Sequence, residues 1–253
     1  MKRIILSGCN GKMGRTISET VGERKDCIVV AGFDINIQLK QEYPVLSDPK
    51  DYDGNADVII DFSHPSFLTR LLDFAVKRGI PTVIATTGLS EEQVKQVKVA
   101  SEHIPVFYSG NMSIGVNLII ELAKKASAVL SNSFDIEIIE MHHNQKLDAP
   151  SGTALMLANA ISSTLNEKPE YKYDRHNERK KRDKNEIGIH SVRGGTIVGE
   201  HEVIFAGKDE IIKISHSAMS KQIFATGAVN AALFLTSRNT GLYNMGDLVA
   251  FYG

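Results

Sequence analysis

The chain predicts an α/β fold in two parts: a helix-flanked parallel-sheet domain and a smaller α+β domain with a mostly antiparallel sheet. Short continuous apolar runs alternate with helical patterns as far as Asn111, the rhythm of strands buried on both faces of a parallel sheet. Beyond Asn111 half-buried strands follow one another across glycine turns. A glycine cluster, Gly8 to Gly14, joins the first strand to the first helix.

Taken in order, residues 2–7 read as a buried strand, and Met13, Ile17 and Val21 recur every four residues in the helix behind it. Residues 27–34 form a second strand, and 58–62, 82–86 and 104–108 are further apolar runs of strand length. The helix from Pro65 gathers Leu68, Leu71, Leu72, Ala75 and Val76 on one face and stops near Gly79. Its successor opens with the capping sequence Ser90-Glu-Glu-Gln93. A helix is predicted from about 114 to 130, then a strand in which Phe134, Ile136 and Ile138 alternate with Asp135 and Glu137. Pro150-Ser151-Gly152-Thr153 starts another helix. Strands at 188–193, 196–206 and 210–217 are joined by Gly194-Gly195 and Gly207-Lys208-Asp209, turns suited to antiparallel neighbours. An Ala-rich apolar helix over 223–235 suits a buried position.

Composition narrows the function classes. The 253 residues carry a net charge of −1, which gives no general field for nucleic acid. No apolar stretch approaches the ~20 residues of a membrane span, and the apolar segment after Met1-Lys-Arg is too short for a signal peptide, so a cytoplasmic protein is expected. Cys9 and Cys27 make neither a disulfide framework nor a zinc site and are expected to pack. The basic run 175–184 reads as a solvated loop whose charge can gather anions.

Two regions carry chemistry. In the first, Gly8, Gly11 and Gly14, with Cys9, Asn10, Lys12 and Met13 between them, place backbone N–H groups at a strand-to-helix turn where a pyrophosphate can dock. Asn10 occupies the place of the middle glycine of the G-x-G-x-x-G pattern, so the spacing is irregular. Asp34, ending the second strand, suits a ribose diol. The reading is a Rossmann-like dinucleotide domain. Asp34 repels a 2′-phosphate and Ile35 follows it, which favours NADH; Lys12 or Lys40 could reach a phosphate, which leaves NADPH open. The loops 62–64, 85–88 and 109–112 follow later strands and would line the same crevice.

In the second region, Glu137-Ile-Ile-Glu-Met-His142-His143-Asn-Gln-Lys146-Leu-Asp148-Ala-Pro150-Ser151-Gly152-Thr153-Ala154 brings two imidazoles and an amine up to a helix start. The first N–H groups of that helix lack intrahelical acceptors, so Ser151, Gly152 and Thr153 form a dock for a small dicarboxylate. His142 and Lys146 are the candidates for proton transfer beside it, with Asp148 orienting Lys146 or capping the turn. Adjacent strand residues face opposite sides, so His142 and His143 can meet one ligand only where the strand ends or bulges. No metal is expected, since His142, His143 and Asp148 lack the i, i+4 helical spacing of a metalloprotease.

This second run, with Gly8-Cys-Asn-Gly11-Lys-Met13-Gly14, Ala85-Thr86-Thr87-Gly88, Asn111-Met-Ser113-Ile-Gly115-Val-Asn117 and residues 187–201, resembles the dihydrodipicolinate reductase family over nearly the whole chain. The resemblance implies transfer of hydride from NADH and/or NADPH to dehydrated 4-hydroxy-tetrahydrodipicolinate in lysine and diaminopimelate biosynthesis. It implies that Lys146 donates the proton with His142 as acid or base beside it, and that His143 binds substrate. It also implies that Ala85, Thr86, Thr87, Ser109, Gly110, Asn111 and Met112 hold the nicotinamide ribose and ring, although Ser109-Gly110 departs from the small apolar pair common there. The final helix would return to the first domain, giving 1–112 with 221–253 for the dinucleotide and 113–220 for substrate and for association into a homotetramer. Lys221 and Phe224 fall near that return. Arg193 and His201 would face either substrate or a neighbouring subunit. Two other classes remain at this point. A dinucleotide-sensing regulator would have no use for His142, His143 and Lys146, and a metal-assisted hydrolase would depend on metal.

Overall fold

The computed structural model describes residues 1–39 and 41–253. The chain divides into two compact units, 1–114 with 222–253, and 115–221.

In the first unit β1 (Lys2–Ser7) leads to α1 (Lys12–Gly22), then β2 (Cys27–Phe33), β3 (Val45–Leu46) and β4 (Val58–Asp61). Next come α2 (Leu68–Arg78), β5 (Thr82–Ile84), α3 (Glu91–Ser101) and β6 (Pro105–Tyr108). The strands form one parallel sheet in the order β12-β6-β5-β4-β1-β2-β3, where β12 is Gly241–Tyr243 near the end of the chain. Both faces of this sheet are covered, which is why its strands read as unbroken apolar runs. Ile4, Leu6, Val58 and Ile60 pack on one face with Ile17 and Val21 of α1 and the Ala-rich α6 (Gln222–Leu235). Ile5, Phe33, Ile59 and Ile84 pack on the other with the apolar sides of α2 and α3. Gly227 lets α6 approach the chain at Met112, because a Cβ there would run into the Met112 carbonyl.

Local signals set the element ends. Gly79, at φ 63°, stops α2 in the left-handed conformation that costs glycine least. Ser90 and Gln93 make a reciprocal capping box at the start of α3. The helix predicted from Pro65 opens with one 3₁₀ turn, Pro65–Phe67, before α2 proper. The short β3 and β12, and the closing helix α7 (Met245–Tyr252), have no counterpart in the predicted elements.

The second unit contains α4 (Ile114–Leu130) from Gly115 onward, β7 (Asp135–His142), α5 (Gly152–Ser162), β8 (Glu170–Lys172), β9 (Glu186–Arg193), β10 (Gly199–Ala206) and β11 (Ile211–Ala218). Its sheet is mixed, in the order β11-β10-β7-β9-β8. β10 pairs antiparallel with both β11 and β7, while β9 pairs parallel with β7 and β8. The 207–209 turn closes a β10–β11 hairpin as predicted, but Gly194-Gly195 does not close one, because β7 lies between β9 and β10. That turn instead holds the end of β7: Gly194 N–H donates to the His142 carbonyl at 2.9 Å, and Asn144 N–H donates to the Gly195 carbonyl at 3.2 Å. Ile136, Ile138, Val203 and Phe205 cover the inner face against Val116, Ile120, Leu157 and Ile161 of the two helices.

The basic run 175–184 is a loop exposed at most positions, as expected, but Arg175 and Arg182 are anchored to the sheet. Arg182 donates to Glu137 (2.9 Å), Asp135 (3.0 Å) and the backbone carbonyls of Ile136 and Glu186, and Arg175 reaches Glu186 (2.8 Å). Glu137, also bonded by His190 at 2.7 Å, draws the loop onto the outer face of β7, where Gly188 leaves it room. Burial pushes the Glu137 carboxyl up, but His190 and Arg182 outweigh it and hold it below its ordinary range.

Candidate active site

The glycine turn of the first unit is built for close backbone approach. Gly8 has φ 76°, and a Cβ there would stand 2.6 Å from the Phe62 carbonyl oxygen. Gly14 lets α1 press on the turn, since any Cβ would collide with the Gly8 carbonyl. Gly11 is the N-cap of α1 and supplies no side-chain cap, so the helix start keeps backbone donors for an anion. Gly88, at φ 75°, has open space around it on the loop after β5. These cradles fit a dinucleotide pyrophosphate.

Several side chains named from the sequence turn away from such a ligand. Cys9 is fully buried, its sulfur lying where a Cβ on Gly32 would come within 2.5 Å. Burial pushes its thiol up to about 12. Met112 is part of the core. Thr86 is buried and spends its hydroxyl on Asp61 at 2.6 Å and the Ser63 carbonyl at 3.2 Å. For these three only the backbone is available. Thr87 and Gly110 are exposed, Ala85 is buried, and Ser109 is half-buried with its hydroxyl on the Asn111 carbonyl at 3.0 Å. Asp34 ends just past β2, where one carboxylate oxygen accepts from Asn10 N–H and the other from Asn36 N–H, both at 2.9 Å. Asn10 in turn donates to the Asn36 carbonyl at 2.6 Å and accepts from Gln41 at 2.7 Å, so the residue that breaks the glycine pattern ties the turn to the Asp34 loop. Lys12 lies exposed at the start of α1; Lys40 lies outside the described residues.

Asp61 had drawn no notice in the sequence. It closes β4 fully buried, bonded by Thr86 and by Ser63 N–H (3.2 Å), and burial pushes its carboxyl up.

In the second unit the alternation of β7 puts Ile136, Ile138 and Glu140 on the buried face, with half-buried His142 next in the same series. Glu140 has no solvent exposure, and four donors surround its carboxylate. Arg193 of β9 binds it with both terminal nitrogens (2.7 and 2.8 Å), Ser151 N–H reaches it at 3.1 Å, and His142 Nδ1 lies 2.6 Å away. Burial pushes Glu140 up, but the Arg193 bonds dominate and hold it at about 2.

β7 ends at His142, and the chain then turns with Lys146 N–H on the His143 carbonyl at 3.2 Å. The strand end that would let both histidines meet one ligand is therefore present. Lys146 pairs with Asp148 at 2.8 Å, a contact that, of the two roles open to that carboxylate, favours orienting the amine. Ser151 caps α5, its hydroxyl accepting from Ala154 N–H at 3.1 Å and lying 3.0 Å from His201 Nε2. Gly152 has open space around it. The His142 and His201 rings meet edge to face at 5.2 Å. Burial, with His142 beside it, pushes His201 down to about 4. Burial likewise lowers His142, against the pull of Glu140, and Lys146 adds to the lowering of both rings. His142, Lys146 and the Ser151 loop thus share one end of one sheet. Arg193 and His201, left open between substrate and subunit, serve this cluster: one holds Glu140 and the other holds Ser151. Glu140 was missed, although its place in the Ile136-Ile138 series marks a carboxylate at a core position.

The family model of the dihydrodipicolinate reductase N-terminus matches residues 2–112, and that of the C-terminus matches residues 115–249. The chain belongs to the dihydrodipicolinate reductase family. Among curated members, the 4-hydroxy-tetrahydrodipicolinate reductase of Caldanaerobacter subterraneus subsp. tengcongensis is 55% identical over 98% of both chains, and that of Clostridium novyi is 49% identical over the same shares. A solved structure, the dipicolinate-bound dihydrodipicolinate reductase from Paenisporosarcina sp. TG-14, superposes with a TM-score of 0.81 at 28% identity, covering 96% of this chain and 97% of that one. As a dihydrodipicolinate reductase family member the chain is an oxidoreductase of the pyridine-nucleotide type. Among the described residues no helix is long and apolar enough to cross a membrane, and no metal-binding group of three ligands occurs.

Proposed function

We propose that this chain reduces dehydrated 4-hydroxy-tetrahydrodipicolinate to tetrahydrodipicolinate in the lysine and diaminopimelate pathway, using NADH in preference to NADPH. The observation that carries the reading is the convergence of His142, Lys146 and the capped start of α5 at one end of the second unit's sheet. A bound reduced nicotinamide supplies the hydride that adds to the conjugated imine. One carboxylate of the substrate docks at the Ser151-Gly152-Thr153 turn on the N–H groups of Gly152 and Thr153, where the helix dipole favours negative charge. His143 meets the substrate from the turn that follows β7. Lys146, steered by Asp148, delivers the proton that the resulting enamine carbon requires, and neutral His142 stands beside it as the acceptor. Water completes the balance: the hydroxyl of the hydrated substrate leaves with one proton before the imine is reduced.

The dinucleotide lies against the turn Gly8, Cys9, Asn10, Gly11, Lys12 and Met13, its pyrophosphate on the N–H groups that open α1, with Asp34 on the adenosine ribose and the loops at 85–87 and 109–112 about the other end. The carboxylate of Asp34 and the exposed Ile35 beside it support the NADH preference, because neither can pair with a 2′-phosphate. The assembly is a cytoplasmic homotetramer in this reading; β11, an edge strand with exposed Ile211 and Ile212, suits pairing with a second copy. The test follows the absorbance of reduced cofactor while the condensation product of pyruvate and aspartate semialdehyde is supplied, with NADH and NADPH compared. Oxidation that depends on that product, faster with NADH at subsaturating cofactor, is expected; no oxidation with either cofactor would overturn the reading.

A further inference from the structure

We infer that Glu140 is a positioning residue that fixes the tautomer of His142 and ties that imidazole to the Ser151 loop, with Arg193 keeping the carboxylate in its acceptor-only form. This deepens the reductase reading, on which the roles of His142 and Ser151 rest.

A carboxylate at a core position is costly unless donors fill its lone pairs. Here the two oxygens divide their donors in a definite way. One takes Arg193 Nη2 and Ser151 N–H; the other takes Arg193 Nη1 and His142 Nδ1. An ionised carboxylate only accepts, so Nδ1 of His142 must carry the hydrogen and, in the neutral ring, Nε2 must be the bare nitrogen. Nε2 faces the strand opposite at Gly199, where an added Cβ would come to 3.1 Å. Glycine at 199 therefore leaves the ring room that any side chain there would take.

The second bond of Glu140 acts on the other half of the site. Ser151 is the N-cap of α5, and with its own N–H held by Glu140 and its hydroxyl engaged by Ala154 N–H and His201, the following N–H groups are presented to a ligand in a fixed position. One buried carboxylate thus registers a proton-transfer group and an anion dock against each other.

The charges around His142 decide the sign of each perturbation. Glu140 on its own strand raises its proton affinity, while Arg193 of β9 and Lys146 of the following turn lower it; the His201 ring of β10 packs against it. Removing the carboxylate leaves the cations, so Glu140→Gln moves the His142 titration to lower pH. Removing the guanidinium leaves the carboxylate, so Arg193→Met moves it to higher pH. A residue that merely fills space would not produce opposite shifts.

The experiment is nitrogen-15 NMR of the histidine rings in the full chain without ligand, joined to steady-state kinetics. In the unaltered protein His142 is expected as the Nδ1–H tautomer at neutral pH, a result that requires no variant to fold. Glu140→Gln is expected to lose that tautomer preference and to cut kcat about 100-fold or more, with cofactor affinity within twofold of the parent. Glu140→Asp should recover part of the rate. An Nε2–H tautomer in the unaltered protein, or shifts of the same sign in Glu140→Gln and Arg193→Met, would overturn the inference. The ring spectra do not depend on turnover, so a failure of the reductase reading would appear in the kinetics alone.

Discussion

The two candidate ligand sites, one in each unit, solve different problems. At the glycine turn of the first unit the ligand-facing surface is mostly main chain, and the nearby side chains serve the scaffold: Cys9 and Met112 fill the core, and Thr86 satisfies buried Asp61. At the end of the second unit's sheet the working groups are side chains, and a buried ion pair fixes their geometry. A phosphate needs donors of fixed direction, which backbone supplies without titrating. Proton transfer at carbon needs groups that gain and lose protons, and those must be aimed by neighbours with settled charge.

The largest effect should come from the side-chain end. Lys146→Ala is expected to lower kcat by about three orders of magnitude while NADH affinity measured by calorimetry stays within twofold. Equal losses of both would erase the distinction between the two ends. The backbone end should break differently. Gly14→Val places bulk against the Gly8 carbonyl and is expected to weaken NADH binding by tenfold or more while leaving dipicolinate binding intact. Parallel loss of dipicolinate binding would show that the two sites are not separable in this way.

Acid should expose the side-chain end next. His201 is held at about 4 against an ordinary 6.5, so the fold favours its neutral form. Its contribution is complete above pH 6.5 and is lost as pH falls through about 4, because the unfolded chain binds the proton first. Glu140, held at about 2 against 4.5, loses its contribution below that, from pH 4.5 down to about 2. Thermal melts of His201→Gln should therefore show a weaker decline than the parent between pH 6.5 and 4, by an amount on the order of 3 kcal/mol, and an unchanged decline below. A parent whose melting point is flat from pH 7 to 4 would remove His201 from the account. The smallest effect is expected at Thr86→Val. Its hydroxyl is committed to Asp61, so NADH affinity should change only a few-fold; a loss beyond a hundredfold would mean that the hydroxyl touches the cofactor.

The sequence made the first unit easy to read because its strands are buried on both faces and its turns carry glycine. It made the second unit harder to read for a topological reason. Gly194-Gly195 looks like a hairpin turn, yet β7 intervenes between the strands it joins, and long-range pairing leaves no local mark. The strands overlooked, β3, β8 and β12, span only two or three residues each, and the overlooked helix α7 only eight, too short to establish a period. The catalytic candidates were visible because a run of His, Lys and Ser before a helix start is unusual for packing alone. Glu140 was legible in principle, as an acidic residue in the Ile136-Ile138 series, but its partners come from 193 and 151, and only the folded sheet shows them together. Within the basic run two anchors stayed hidden for the complementary reason: Arg175 and Arg182 look solvated until Glu137 and Glu186 are seen beneath them.

The division of labour is tested most directly by backbone amide spectra of the isotopically labelled chain titrated separately with NADH and with dipicolinate. NADH should move the amides of Gly8 to Met13 and leave those of Gly152 and Thr153 in place, while dipicolinate should move His143, Lys146, Gly152 and Thr153 and leave the glycine turn in place. Dipicolinate shifts confined to the glycine turn, or NADH shifts centred on the α5 start, would contradict it.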